Sequence, residues 1–188
     1  SNLYKSAWKI FIDNIVLCLI NTAIMYLVFP FLIISVIGIF AIPAVLGGYT
    51  ESMIRLVSGK KVEIGDFFKA GFSKSGTLLS ANILRFFGIL FGYILFIIPG
   101  IYLSIIWLFV FQLIVDTDSS IESAFEKSRN LVHKRIGFWV VFFVLTSLTI
   151  FNFLLQLIPI VGILLSVFFI GPFYSMICTV LYVNAADS

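Results

Sequence analysis

The sequence predicts an all-α membrane protein with six transmembrane helices in three hairpins, each hairpin preceded by a short amphipathic interfacial helix. Three observations predict it. Hydrophobic residues make up 61% of the 188 residues and charged residues only 11%, with phenylalanine alone appearing 22 times. Soluble domains carry roughly a quarter charged residues, so the solvent for most of this chain must be lipid. Apolar runs long enough to cross a bilayer recur along the chain. Between them, polar segments alternate with short uncharged turns at proline.

The first apolar stretch, residues 10–49, is too long for one span, since about 20 residues cross the hydrocarbon core. A break at Phe29-Pro30-Phe31 is expected, because proline removes a backbone donor and restrains the residue before it. That gives helices over 10–29 and 31–57, the second passing through Pro43. Ser58-Gly59-Lys60-Lys61 is a stop. It opens a polar segment, 58–77, in which Ile64, Phe67, Phe68 and Gly71/Phe72 form an apolar stripe at helical spacing. A surface-lying helix is the reading.

Helix three is expected over 78–98, with a turn at Pro99-Gly100 and a return to Val115. A second polar segment, 116–137, follows. There Ser119 stands three residues before Glu122, a capping box. The stripe Ile121, Ala124, Phe125, Ser128 and Leu131/Val132 predicts a second amphipathic helix. Helix five is expected over 138–157, with a turn at Pro159, and helix six runs to about Asn184 through Gly171-Pro172. Because membrane sequence follows the first apolar run directly, no cleaved signal segment is expected.

Every charge falls in the N-terminal segment, the two polar segments or the adjoining helix ends. The turns at Pro30, Pro99 and Pro159 carry none. Basic residues favour the cytoplasmic face, so both termini and both polar segments are expected there. Leu3-Tyr4-x-x-Ala7-Trp8, Ile64-x-x-Phe67-Phe68 and Ile121-x-x-Ala124-Phe125 repeat at offsets of 60 and 57 residues, taking 4, 64 and 121 as equivalent. Approximate repeats 1–60, 61–117 and 118–188 thus make one transmembrane domain.

The motifs resemble a known family. They comprise Ile42-Pro43-Ala44-Val45-Leu46-Gly47-Gly48-Tyr49, Arg55-Leu56-Val57-Ser58-Gly59-Lys60 and Asp66-Phe67-Phe68-Lys69-Ala70-Gly71-Phe72. Further along stand Ile98-Pro99-Gly100-Ile101-Tyr102-Leu103, Val115-Asp116, Glu122-Ser123-Ala124-Phe125-x-x-Ser128-x-x-Leu131-Val132, Arg135 and Trp139. Across nearly the whole chain this is similar to the uncharacterised prokaryotic membrane proteins related to the membrane domain of glycerophosphoryl diester phosphodiesterases. His133-Lys134-Arg135 departs from the lysine-glycine-arginine turn of that pattern. The resemblance implies a polytopic protein of the prokaryotic cell membrane with both termini cytoplasmic. It transfers no enzyme activity, because these residues hold no counterpart of the catalytic phosphodiesterase domain.

Chemistry inside the membrane needs convergent ionisable groups, and few are present. His133 is the only histidine, so no histidine pair can hold a metal within one chain; its charged surroundings mark it as a surface residue. Cys18 and Cys178 sit in apolar runs without a ligand spacing and read as small buried hydrophobes. Asp13, Glu51, Asp66 and Asp116 lie near helix ends and read as anchors paired with Arg55, Arg85 and nearby lysines; acid–base work is the alternative. Glu51 and Arg55 are spaced to pair on one helix face. Arg85, beside Asn82, either reaches the surface or meets Glu51 or Asp116. A cytoplasmic-side ionic cluster of Glu51, Arg55, Arg85 and Asp116 is therefore expected, with a gate or a lipid-headgroup site as its functional alternative.

Gly88-Ile89-Leu90-Phe91-Gly92 is a GxxxG, and Ala44 with Gly48 a small-xxx-small pair, both suited to close helix packing. Pro43 and Gly171-Pro172 read as kinks, or as interruptions exposing carbonyls to a substrate. The sequence favours a non-enzymatic integral membrane module that scaffolds or modulates partners and binds membrane lipids, with a protein partner expected at the cytoplasmic face. The basic interfacial helices suit anionic headgroups. The alternative is a small transporter or channel for a lipid or hydrophobic solute, using Asn21, Asn82, Gln112, Asn152 and Gln156. The net charge of +3 gives no support to nucleic-acid binding, and no cofactor is indicated.

Overall fold

The computed structural model describes residues 2–34, 36–62, 65, 71–158 and 161–186, with side chains described except at residues 2 and 28–40. Every described element is helical. In chain order these are α1 (Asn2–Asp13), α2 (Ile15–Ile34), α3 (Val36–Val57), α4 (Ser75–Leu95), α5 (Ile97–Ile106), α6 (Val110–Thr117), α7 (Ile121–Asn130), α8 (Phe138–Gln156), α9 (Val161–Leu165) and α10 (Gly171–Ala186). Two π-helical segments, Leu131–Ile136 and Ser166–Ile170, lead out of α7 and α9. Pro172 closely follows the second, where a widened turn suits a residue that lacks the amide for an ordinary helical bond.

Four stretches are long and apolar enough to cross a membrane: Ser75–Leu95, Ile97–Thr117, Phe138–Gln156 and Val161–Ala186. The pair Leu3–Asp13 and Ile15–Leu27 passes the same test as a unit although it bends by 83°, which raises the number to five among the described residues. The chain is thus a multi-pass helical membrane protein by length and composition.

Several boundaries differ from expectation. The break expected at Pro30 is not there: α2 runs past it to Ile34. A proline removes one amide donor, and neighbouring groups in a membrane bundle can make up the loss without ending the helix. The first helix does not begin at Ile10 either, because residues 2–13 form a separate amphipathic helix that turns at Asn14. Its Ala7 and Phe11 are fully buried, and Phe11 and Trp8 both meet Phe173 of α10 at ring distances of 5.9 and 5.6 Å. The turn expected at Pro99-Gly100 is made three residues earlier by Phe96 in an extended conformation. Pro99 then lies in the first turn of α5, where amides have no helical partner to lose. The turn at Pro159 and most of the amphipathic stripe at 64–72 lie outside the described residues.

The ends of the helices explain why the chain stops where it does. α3 closes with Gly59 at φ +69°, the Lys60 amide donating to the Arg55 carbonyl and the Gly59 amide to Leu56. This is the paired-bond ending that glycine permits. At α7 the cap is Ser120, whose hydroxyl accepts from the Ser123 amide, and not Ser119, which instead bonds Thr117 and receives Lys127. The expected box was one residue out of register.

α3 is the central helix, packing against α2, α4, α6 and α10. Its Met53, Ile54 and Leu56 join Phe109, Ile114, Met176, Ile177 and Tyr182 in one buried cluster. The break between α5 and α6 crosses this core. There Ser128, fully buried on α7, donates to the Ile106 carbonyl at 2.7 Å and accepts from the Phe109 amide at 3.2 Å. One hydroxyl thereby satisfies both orphaned backbone groups, which would otherwise be costly away from water.

Candidate functional site

Charged side chains gather where α3, α6, α7 and α10 end. Glu51 and Arg55 pair along α3 at 2.8 Å. Asp116, at the end of α6, is exposed and accepts a 2.7 Å hydrogen bond from the buried Tyr182 hydroxyl. Lys74, just before α4, forms a 2.6 Å ion pair with Asp118 and also donates to the carbonyls of Ile114 and Val115. Arg135 donates to the Ala185 carbonyl at 2.7 Å. These two cations sit where the last carbonyls of α6 and α10 carry partial negative charge. Sequence reading missed both, because the partners lie 41 and 50 residues away and no local pattern announces them.

Between these ends lies a basic cavity of about 350 Å³, lined by Lys127, Lys134, Arg135 and Asn130 over Leu113 and Leu131. Cations above an apolar floor suit a phosphate head carrying a greasy tail. Lys127 and Arg135 are already tied to Ser119 and to the α10 carbonyl. His133, nearby in the π-segment, is exposed, bonds the Tyr102 hydroxyl at 3.0 Å and stacks on Phe138.

Arg85 stands apart from the other expected cluster members. It is the eleventh residue of the 21-residue α4, ~15 Å from the start of that helix at 1.5 Å per residue. No ion pair joins it to Glu51 or Asp116, and its buried Nε has no hydrogen-bond partner, among the described residues. The ionisable groups within its electrostatic reach are Tyr174 and Cys178 of α10. Asn21 Nδ2 and Gln112 Oε1 are also buried without partners among the described residues. Tyr49 of α3, nearly buried, stands beside Thr22 of α2 and Ser175 of α10.

The small residues mark close helix approaches. A Cβ on Gly92 would lie 3.0 Å from the Gly100 Cα, and one on Gly88 would lie 2.5 Å from the Trp107 ring, so α4 and α5 meet along this face. A Cβ on Gly71 would collide with the Ala44 carbonyl and come within 2.9 Å of the Gly48 nitrogen. Of the amides, Asn152 accepts from Gln156 and from Ser166 at 3.0 and 3.2 Å. Beside them, Thr149 and Tyr174 help to line a cavity of about 260 Å³. A larger, apolar groove of about 730 Å³ runs between Leu19, Ile20 and Ala23 of α2 and the Val161–Leu165 helix with its π-segment. Both cysteines are free and buried. Among the described residues no three of His, Cys, Asp and Glu converge as a metal site would require.

No protein-family model, no curated protein and no solved structure matches the chain.

Proposed function

We propose that the chain is a non-enzymatic lipid-binding module of the prokaryotic cell membrane that scaffolds or modulates a partner at its charged face. In this reading it makes six spans in three hairpins, with both termini cytoplasmic. The observation that carries the reading is the basic cavity of Lys127, Lys134 and Arg135 above Leu113 and Leu131. It combines attraction for an anionic head with an apolar surface for the adjoining chain. The three-hairpin reading is supported by amphipathic α1 and α7, each of which leads into apolar helix. The resemblance to the membrane domain of glycerophosphoryl diester phosphodiesterases adds to it as an expectation drawn from motifs.

A second reading, movement of a lipid or hydrophobic solute, draws on the unpartnered Asn21, Arg85 and Gln112 atoms. Buried polar groups in a bundle are normally satisfied, and such exceptions mark water or ligand positions. Retention of phosphatidylglycerol against phosphatidylcholine, read by native mass spectrometry from mixed nanodiscs, tests the first reading. Lys134→Gln should weaken retention of the anionic lipid about fivefold, since one surface cation contributes about 1 kcal/mol. Equal retention of both lipids by the native chain would refute headgroup binding.

A further inference from the structure

We propose that the cavity where α7 packs across the α5–α6 break takes a zwitterionic phosphoethanolamine head. Glu126 and the rings of Tyr102, Trp107 and Phe125 receive its ammonium, and Arg129 receives its phosphate. The head belongs to a phospholipid or arrives as the free water-soluble ester. None of these residues lines the basic cavity of Lys127, Lys134 and Arg135, so the two sites stand or fall separately.

The cavity holds about 540 Å³, within the range of sites for small ligands. Its walls bring three rings and two opposite charges together. Trp107 and Phe125 stand at 87° to each other with centroids 5.0 Å apart and form a corner. Ring faces carry partial negative charge, so such a corner attracts an ammonium ion. Tyr102 adds a third ring. All three are braced by neighbouring elements. A Cβ on Gly88 of α4 would lie 2.5 Å from the Trp107 ring, so Trp107 rests against that helix. The Tyr102 hydroxyl bonds His133 at 3.0 Å, and its ring lies 5.7 Å from that of Phe138. The Ser128 bonds to Ile106 and Phe109 fix α7, which carries Phe125, against the break that carries Trp107. Walls held in this way lose little freedom when a ligand enters.

Glu126 and Arg129 lie three residues apart on α7, a spacing that puts side chains on one face with Cβ atoms about 5–6 Å apart. Both are exposed and both line the cavity. Among the described residues neither forms an ion pair or a side-chain hydrogen bond, whereas Lys127 on the same helix is tied to Ser119. A carboxylate beside aromatic faces selects a cation, and a guanidinium selects a phosphate, which it can hold with two parallel bonds. A simple cation would leave Arg129 unanswered, and a simple anion would leave Glu126 so. Opposite charges at this spacing match a head whose ammonium and phosphate are joined by a short ethylene link. The carboxylate also accepts hydrogen bonds, which the ammonium of ethanolamine donates and the trimethylammonium of choline cannot. Ethanolamine is therefore the favoured head. Leu103 and Ile106 add apolar wall for the carbon chain that adjoins it.

The test uses the full chain in nanodiscs of mixed phosphatidylethanolamine and phosphatidylcholine, with retained lipid read by native mass spectrometry. A separate arm titrates free phosphoethanolamine into phosphatidylcholine nanodiscs. The native chain should retain phosphatidylethanolamine about fivefold over phosphatidylcholine, as one partly exposed charged contact is expected to give. Glu126→Gln should bring that ratio close to one. Arg129→Gln should weaken retention of both lipids about fivefold and leave their ratio unchanged, because both carry the phosphate. Tyr102→Leu should weaken both about threefold, since either ammonium meets the ring faces. Both charges are exposed, so their replacement should not disturb folding. Lipid preference without saturable binding of the free ester assigns the site to a membrane lipid. Saturable binding of the ester that Glu126→Gln weakens, without lipid preference, assigns it to the soluble compound, and both together assign it to the head from either source. Equal retention of the two lipids with no binding of the ester, or a preference that Glu126→Gln leaves intact, overturns the proposal. Lys134→Gln should lower phosphatidylglycerol retention and leave the ethanolamine preference untouched, which keeps failure at one site distinct from failure at the other.

Discussion

α6 and α4 make an instructive pair. α6 has eight residues, of which five are buried, whereas only Leu78, Ala81 and Gly92 are buried among the 21 residues of α4. Both are strongly apolar. They differ in their solvent: α6 is packed against α3, α7 and one side of α4, and α4 turns Phe86, Phe87, Phe91 and Ile94 outward. Lipid is as apolar as leucine, so burying such side chains against protein brings little hydrophobic gain. Packing concentrates instead where backbone groups and charges would be left unsatisfied, which is at the interrupted α5–α6 junction and the helix ends.

The sharpest break of this contrast is Ser128→Ala. The substitution leaves the Ile106 carbonyl and the Phe109 amide without their partner in a fully buried place. Each such orphan costs about 1–3 kcal/mol, so a loss of roughly 3 kcal/mol is expected. For a chain of this size that lowers the melting temperature by about 6–12 °C, measurable by thermal denaturation in detergent. A shift comparable to that of a lipid-facing substitution would show that the junction is held by other means.

The two regions were not equally legible in the sequence. Lipid-exposed apolar runs announce themselves by composition, and the Gly59 stop could be read because a helix ending of that kind is made by adjacent residues. Ser128 was visible only as one member of an amphipathic stripe. Its task depends on a break 19 and 22 residues earlier, which has no proline to signal it. Lys74 was equally hidden, since its carbonyl partners lie at the end of α6, 40 and 41 residues further on. Proline misled in the opposite direction: Pro30 and Pro99 suggested breaks, but α2 continues past one and the first turn of α5 absorbs the other. For Arg85 the expectation of a carboxylate partner followed from charge economy, yet helix packing brought Tyr174 and Cys178 to it instead.

Lys74 gives the intermediate case, because it combines a strong and a weak interaction in one side chain. Its pair with Asp118 is largely exposed, the carboxylate side being 82% accessible, and such pairs contribute at most about 1 kcal/mol. The bonds to the Ile114 and Val115 carbonyls are part-buried and face the negative end of α6. Lys74→Met should therefore cost about 1–2 kcal/mol, and Asp118→Asn less than about 0.5 kcal/mol. High salt should erase the smaller effect and leave most of the larger one. Melting temperatures of both variants at low and high salt separate the two contributions. Equal losses that vanish together in salt would mean that the exposed pair carries the whole effect.

At the quiet end of the comparison, Phe91→Leu on α4 should change stability by less than about 0.5 kcal/mol, because one apolar side chain replaces another against lipid. Phe91 is 61% exposed, and among the described residues it has no aromatic partner of the kind that Trp107 finds in Phe125. The same exchange at Phe109, which is fully buried beside Tyr182, removes packing that lipid cannot replace and should cost about 1–2 kcal/mol. The ratio between the two is more informative than either loss. Lipid can re-solvate the surface of α4 after a change of shape, but it has no access to the α6 junction. If Phe91→Leu proved as costly as Phe109→Leu, the outward face of α4 would be covered by protein, and the exposed aromatic stripe would have to be read as an interface between chains.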